Sequence, residues 1–190
     1  MFEKKDKSDK PVKEKKVKEP KPKKVAKKKS KKIDNPYFDL RGQILDMEPT
    51  SLMREMMGSH PIHAAVVDMA MGDVVVTLTC VADGTTSLYF SGGGMQIGLG
   101  HASEDVKNAT LTFLHSADQV LDLMTVVEEY VLPEDEKHIV YLAANDCVYA
   151  QEFDLSVLSQ MPNELQFLNY LYQSVLTKIG EYNQANNISE

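Results

Sequence analysis

The segment from Asp83 to His101 reads DGTTSLYFSGGGMQIGLGH, and it predicts the centre of the fold. Its Asp-Gly pair is typical of a hairpin turn, because the central residues of such turns favour positive φ. A short apolar strand follows the turn, and a glycine-rich loop follows the strand. The segment holds six of the ten glycines in the chain. Glycine adopts positive φ at little cost and allows another group to approach closely, so a special backbone geometry is predicted here.

Three strands are predicted up to this loop, at residues 62–69, 74–82 and 85–91, because these runs are rich in β-branched residues and end at turn residues. A two-residue turn at Asp83 and Gly84 would set Leu78 opposite Tyr89. Both faces of the sheet would then be half apolar. Either the sheet is covered on both sides, or a bulge shifts the register.

The remaining elements follow from periodicity. Ser103 is a good N-cap, and apolar residues recur at helical spacing from 106 to 124. An extended connector with room for an edge strand leads to a second hairpin, with strands at 139–143 and 147–152. A second long helix begins near Pro162. The predicted fold is α+β: a five-stranded, mostly antiparallel sheet with both long helices on one face. This order of elements resembles the profilin, longin and roadblock group of small folds.

The first 33 residues differ sharply in composition from the rest of the chain. They hold 16 Lys, no Arg and 5 acidic residues, a balance of +11, whereas residues 34–190 have a balance of −18. With three prolines and little apolar content, residues 1–33 are predicted to be disordered. The predicted organisation is this tail, a linker with a short Met-rich helix at 34–58, and a single α+β domain at 59–190.

The tail predicts an electrostatic function. Lysines attract phosphates and anionic headgroups as point charges. The lack of Arg argues against base-specific readout, and the lack of aromatic residues argues against stacking on single-stranded bases. Three alternatives remain open: binding to nucleic acid, docking on an acidic partner or membrane surface, and a solubilising role in which the tail folds back on its acidic domain. An uncovered sheet face would be a candidate surface for a protein partner or homodimer.

The glycine loop is the one candidate ligand site. A strand, a glycine loop and a helix follow each other in the order used to bind phosphates. The P-loop lysine is missing, however, and Ile97 stands where a G-x-G-x-x-G motif needs its third glycine. Close passage of the chain over a neighbouring element is the favoured explanation of the glycines. The candidate lining residues are Ser91, Gly92, Gly93, Gly94, Gln96 and His101, with Asp83 at the same end of the sheet.

The stretch ADGTTSLYFSGGG, followed by IGLGH and a helix, resembles a group of small bacterial proteins of unknown function. The matching residues are Ala82, Asp83, Gly84, Thr85, Thr86, Ser87, Leu88, Tyr89, Ser91, Gly92, Gly93, Gly94, Ile97, Gly98, Gly100 and His101. The resemblance covers about residues 60–155. It implies a bacterial cytoplasmic protein, and it supplies no catalytic residues.

No catalytic set, metal site or cofactor is predicted. His60 and His63, three apart at a strand start, would point to opposite faces and form a poor chelate. Cys80 and Cys147 lie in apolar runs and are expected to be buried, reduced thiols. No signal peptide or transmembrane run is recognised, which predicts a cytoplasmic protein. The favoured hypothesis is a non-enzymatic interaction domain with an electrostatic tail. The alternative is binding of an anion or nucleotide, or an enzymatic site, at residues 91–101.

Overall fold

The computed structural model describes residues 36–145 and 147–188. These described residues belong to one compact unit. The predicted disorder of residues 1–33 lies outside the described residues. The helices and strands are α1 (Pro36–Leu45), α2 (Ser51–Met57), β1 (Ile62–Met71), β2 (Val74–Val81), β3 (Thr86–Phe90), β4 (Met95–Gln96), α3 (Leu99–Ala102), α4 (Glu104–Ser116), β5 (Thr125–Val127), β6 (His138–Ala144), β7 (Cys147–Phe153) and α5 (Asn163–Ala185). Two 3₁₀ helices, Ala117–Leu123 and Leu155–Gln160, complete the order.

The predicted α+β class with an antiparallel sheet is confirmed, but the strand number is wrong. The sheet has seven strands in the order β4-β3-β2-β1-β6-β7-β5. Every neighbouring pair is antiparallel. The five predicted strands are present within two residues at each end. The two additional strands, β4 and β5, are edge strands of two and three residues. β5 lies in the connector that was predicted to have room for an edge strand, whereas β4 was not predicted.

The main core lies between the sheet and the two long helices. Side chains of α4 and α5 share one buried cluster with residues of β1, β2 and β6; the largest are Phe113, Leu114, Leu168, Tyr172, Leu78, Val67 and Leu142. The Ser103 hydroxyl caps α4 by accepting the Val106 N–H, as predicted. The helical pattern predicted up to residue 124 is only partly α-helical, because α4 ends at Ser116 and continues as a 3₁₀ helix.

The turn between β2 and β3 has three residues, which changes the predicted register. The Asp83 carboxylate accepts the N–H of Thr85, and Gly84 takes a φ of 86°. Leu78 therefore pairs with Leu88 and not with Tyr89. One extra turn residue moves the side chains of β3 to the opposite face relative to the prediction. Leu78 and Leu88 now share the face that α4 and α5 cover.

The second face of the sheet is covered as well. Helix α1 lies on it, with contacts to β1, β2 and β3, in a region predicted to be a linker. A second apolar cluster joins Leu45 of α1 to Val66, Tyr141 and Val148 of the sheet. Of the two explanations offered for the half-apolar faces, cover on both sides is therefore confirmed, whereas the register differs because the turn is longer and not because of a bulge.

Candidate functional site

The glycine loop forms a tight hairpin turn between β3 and β4. Gly93 and Gly94 have φ values of 106° and 97°, a conformation that L side chains rarely adopt. Gly93 donates its N–H to the carbonyl of Phe90, and Phe90 donates to the carbonyl of Gly94. The strand–loop–helix order expected of a phosphate site is wrong, because β4 stands between the loop and the next helix. The turn at residues 92–94 therefore does not open a helix N-terminus, and the next helix, α3, begins only after Gly98.

Ser91 and Gln96, two further candidates, have structural partners. The Ser91 hydroxyl accepts the backbone N–H of Val75 at 2.8 Å, which closes the end of the β2–β3 pair. Gln96 accepts a hydrogen bond from the Asn183 side chain of α5 through its Oε1, at 3.1 Å. The Oδ1 atom of Asn183 is buried and has no partner among the described residues. Gln96 thus ties the edge strand to the end of the last helix.

The glycine turn borders a groove of about 600 Å³, lined by Val74, Phe90, Gly92, Gly93, Gly94, Met95, Gln96 and Ile188. Apart from the amide of Gln96, its side chains carry no hydrogen-bonding group. The structure therefore brings four of the six candidate residues together, in a mostly apolar groove whose lining side chains include no cationic group.

His101 lies elsewhere. Its Nε2 is 3.2 Å from the Thr85 hydroxyl, at the opposite end of β3 from the glycine turn. A five-residue strand separates these ends by roughly 17 Å. The nearby Gly100 packs so closely on the β2–β3 turn that an added Cβ would lie 2.0 Å from the Gly84 carbonyl oxygen. The sequence-predicted close passage of the chain is therefore observed at Gly100.

The other histidines have separate surroundings. His60 stacks on His115 with ring centroids 4.6 Å apart, and its Nδ1 lies 3.1 Å from a carboxylate oxygen of Asp118. His63 is buried, and its Nε2 lies 2.9 Å from the Met47 carbonyl oxygen. Burial lowers the pKa of His63. His60 and His63 therefore have different hydrogen-bond partners, Asp118 and the Met47 carbonyl.

The two cysteines differ. Cys80 is buried in the main core, and burial raises its pKa to about 12. Cys147 was expected to be buried, and this is wrong: it is exposed at the first position of β7, next to the hairpin turn.

The most polar part of the interior was not predicted. Asp68, in the middle of β1, is 0% exposed, and Arg41 of α1 is 5% exposed. Arg41 reaches the Asp68 carboxylate twice, through Nε at 2.8 Å and through Nη2 at 2.6 Å. The Thr77 hydroxyl donates to the other carboxylate oxygen at 2.5 Å and lies 2.7 Å from the Tyr37 hydroxyl. We call these four side chains, Tyr37, Arg41, Asp68 and Thr77, the α1 clamp.

Arg41 also holds the connector that follows β5. Its two terminal nitrogens donate to the carbonyls of Tyr130 and Val131, at 3.2 and 3.0 Å. The guanidinium carbon lies 5.2 Å from the centre of the Tyr141 ring, within the range of a cation–π contact. A buried ion pair is retained only where hydrogen bonds satisfy both partners, and the α1 clamp meets this condition. Burial raises the pKa of Tyr37 to about 12, so its hydroxyl stays protonated.

A signal for the α1 clamp is present in the sequence. Asp68 is the single charged residue of the apolar run IHAAVVDMAM, and Arg41 is one of only two arginines. A buried carboxylate needs a cationic partner, and Arg suits a buried pair better than Lys. Spacing alone could not select the partner, because Arg41 and Asp68 lie on different elements 27 residues apart.

Comparison with known proteins gave no match: no family model, curated protein or solved structure is similar to this chain. Within residues 36–145 and 147–188, no helix is long and apolar enough to span a membrane. No group of three or more His, Cys, Asp or Glu side chains in that same part of the chain is placed to hold a metal ion.

Proposed function

We propose that this protein is a non-enzymatic interaction domain that presents a lysine-rich segment to a polyanionic partner, either the phosphate backbone of a nucleic acid or an anionic membrane surface. The 16 lysines of residues 1–33 supply the attraction. The acidic balance of residues 34–190 repels the same partner, so the segment and the domain have opposite roles in binding. Such binding is independent of base sequence and strongly dependent on salt.

The separation of charge along the chain is the observation that carries this proposal, and the α1 clamp explains how the helix next to the lysine-rich segment is held on the domain. Helix α1 begins at Pro36, three residues after the lysine-rich segment ends. Arg41 fixes this helix to the middle of the sheet through the buried carboxylate of Asp68. A segment attached to a fixed helix carries the whole domain with it when it binds.

Binding of a protein partner or of a second copy of this chain is a further proposal. The sequence predicts that such a contact would use an uncovered face of the sheet. Nine of the ten residues of β1 are buried on one face or the other. Exposed sheet surface is found at the edges, for example at Val126 of β5, which is 54% exposed. Edge strands offer unpaired backbone groups to another strand. We therefore propose the sheet edges, rather than a face, for such a contact.

The alternative function, an anion, nucleotide or enzymatic site at residues 91–101, has less support. The groove beside the glycine turn has room for a small molecule, but its lining is apolar and His101 is remote from it. A bacterial cytoplasmic origin, and kinship with the small proteins that share the ADGT…GGG stretch, are proposals carried by sequence resemblance. The profilin-, longin- or roadblock-like arrangement is likewise a proposal, supported by the order of strands and helices.

The test compares two versions of the full-length protein. In one, Lys27, Lys28, Lys29, Lys31 and Lys32 are replaced by glutamine; in the matched control, the same five are replaced by arginine. Binding to a 20-base-pair duplex, to a structured RNA and to vesicles with phosphatidylserine is measured from 50 to 200 mM salt. For duplex DNA, losing five phosphate contacts should reduce the slope of log K against log salt by roughly 4 to 5.

The arginine version should bind like the natural protein, since it keeps the charge. Preference for duplex or vesicle identifies the class of partner. If none of the three probes binds at 50 mM salt, or if the glutamine version binds as tightly as the natural protein, the proposal is wrong.

A further inference from the structure

A small cavity lies where α1 ends, beside the β6–β7 hairpin. Its volume is about 230 Å³, below the range of roughly 300–1,000 Å³ that is typical of sites for drug-sized ligands. The chain from Leu45 to Glu48 forms one wall, His63 near the start of β1 a second, and Tyr130 of the connector a third. A cavity of this size admits a small chemical group rather than a nucleotide.

The histidine in this wall has one hydrogen-bonded ring nitrogen. His63 is 3% exposed, and its Nε2 lies 2.9 Å from the carbonyl oxygen of Met47. A carbonyl oxygen can only accept a hydrogen bond, so Nε2 carries the ring proton. Burial lowers the pKa of His63, which keeps the imidazole neutral at pH 7. The other ring nitrogen, Nδ1, therefore carries a lone pair and acts as an acceptor.

The Nδ1 lone pair has no partner within the described chain. The atom is buried from solvent and makes no hydrogen bond, and it is one of two such side-chain atoms among the described residues. An unpaired buried acceptor costs free energy, because it has lost its hydrogen bonds to water without replacement. Since His63 lines the cavity, a ligand bound there with an N–H or O–H donor can supply the missing partner.

The charge of the cavity sets the sign of such a ligand. Asp46 and Glu48 contribute carboxylates, and no Lys or Arg is among the described residues that line the cavity. The Tyr130 hydroxyl donates to Asp46 at 3.2 Å, which does not neutralise its charge. Arg54 lies 4.0 Å from Glu48, but these side chains are 65% and 87% exposed, so the pair contributes little. The cavity therefore favours a cation that carries hydrogen-bond donors.

A lone pair, two carboxylates and an aromatic ring are the groups that a guanidinium recognises. Its planar fork directs several N–H donors to different acceptors at once, and it is more weakly hydrated than an ammonium. It also stacks on aromatic rings, and Tyr130 supplies one in the cavity wall. A metal ion fits less well, because no three metal-ligating side chains within residues 36–145 and 147–188 are placed to hold one.

We propose that this cavity binds a guanidinium group, which donates one N–H to Nδ1 of His63 and others to the carboxylates of Asp46 and Glu48. A free guanidino compound and an arginine side chain of another polypeptide present this same chemistry. The lysine-rich segment contains no arginine. The site is therefore separate from the binding of that segment to polyanions and does not depend on it.

The test is calorimetric titration of the full-length protein with methylguanidinium at pH 7. Two matched ligands have the same charge: tetramethylammonium has no N–H donor, and methylammonium has N–H donors but no planar fork. We expect saturable binding of methylguanidinium in the millimolar range. Tetramethylammonium should bind about tenfold more weakly, because charge-assisted hydrogen bonds are lost. Methylammonium should bind roughly threefold more weakly, because its donors cannot reach several separate acceptors in one plane.

A pair of variants tests the role of Nδ1. His63→Gln keeps a side-chain N–H for the Met47 carbonyl but removes Nδ1, and it should weaken methylguanidinium binding about tenfold. His63→Asn places an amide oxygen near the position of Nδ1 and should retain most of the binding. Asp122→Asn, which changes an exposed carboxylate outside the cavity, should leave binding unchanged. Far-ultraviolet circular dichroism checks that each variant is folded.

Nitrogen-15 NMR of the histidine rings gives a readout that a purely structural role would not move. The Nδ1 resonance of His63 is identified by its absence from the spectrum of the His63→Gln variant. It should shift as methylguanidinium is added, because Nδ1 accepts the new hydrogen bond, and it should not shift with tetramethylammonium.

Titration with the peptide acetyl-Gly-Arg-Gly-amide separates the two sources of the guanidinium group. Binding tighter than that of methylguanidinium identifies an arginine side chain of a polypeptide, and equal or weaker binding identifies a free guanidino compound. Absence of saturable methylguanidinium binding overturns the proposal. Equal affinity for either matched ligand overturns it as well, as does a folded His63→Gln variant that binds as tightly as the natural protein.

Discussion

Replacing Arg41 by methionine tests the α1 clamp directly. The change leaves the Asp68 carboxylate at 0% exposure, with Thr77 as its one remaining side-chain donor among the described residues. It also removes the donors to the Tyr130 and Val131 carbonyls. Removing one partner of a buried pair costs about 3–5 kcal/mol, because an uncompensated charge stays in the interior. For a domain of this size, that loss corresponds to a melting temperature lower by roughly 6–20 °C.

The assay is urea unfolding at pH 7, followed by circular dichroism because the chain has no tryptophan. The matched control is the double variant Arg41→Met with Asp68→Val, which removes both charges. It should lie within about 1–2 kcal/mol of the natural protein, since replacing a whole buried pair by apolar residues is often neutral. The two changes should therefore be coupled by about 2 kcal/mol or more.

A loss below about 1 kcal/mol for Arg41→Met alone would refute the reasoning. It would mean that Asp68 is solvated or protonated without its partner, and that α1 is not held by this pair. A double variant as unstable as the single one would also refute it, because packing rather than charge would then explain the loss.

Three more predictions concern stability and reactivity. Gly100→Ala should destabilise the protein by about 2 kcal/mol or more in urea unfolding, because the new Cβ would overlap a backbone carbonyl, as overpacking does. Gly180→Ala is its control: it lies in α5 with open space around it and should stabilise by about 0.5–1 kcal/mol, so equal effects would contradict the packing argument. Burial lowers the pKa of His138, so the unfolded chain binds its proton more readily. Stability should then fall as the pH drops below the ordinary value of about 6.5, by at most about 1.4 kcal/mol per pH unit for this histidine. Urea midpoints measured between pH 7.5 and 5.5 check this, and the slope should be shallower in the His138→Asn variant. Maleimide should label one thiol in the native protein, at Cys147, and a second, at Cys80, only after denaturation. Mass spectrometry counts the labels, and rapid double labelling of the native protein would contradict the burial of Cys80.

The local parts of the fold were predictable because local chemistry decides them. Ser103 caps α4, and Pro162 occupies the N-cap position of α5, as the sequence indicates. The β1–β2 and β6–β7 hairpins follow from apolar runs that end at turn residues. The candidate site was less predictable. The glycines at 93 and 94 do require positive φ, but they serve a turn, and His101 is carried away from them by the length of β3.

By itself, the sequence determined the α+β class, the order of the main strands and helices, and the separation of a basic segment from an acidic domain. Each of these depends on residues close together in the chain or on composition. The tertiary structure alone decided the β2–β3 register, since one side chain, Asp83, sets the length of that turn. It also decided that α1 covers the second sheet face. The contact of α1 with the sheet joins residues from distant elements, so no local period or spacing predicts it. The turn is local, but an Asp-Gly pair fits a two-residue turn as well as a three-residue one.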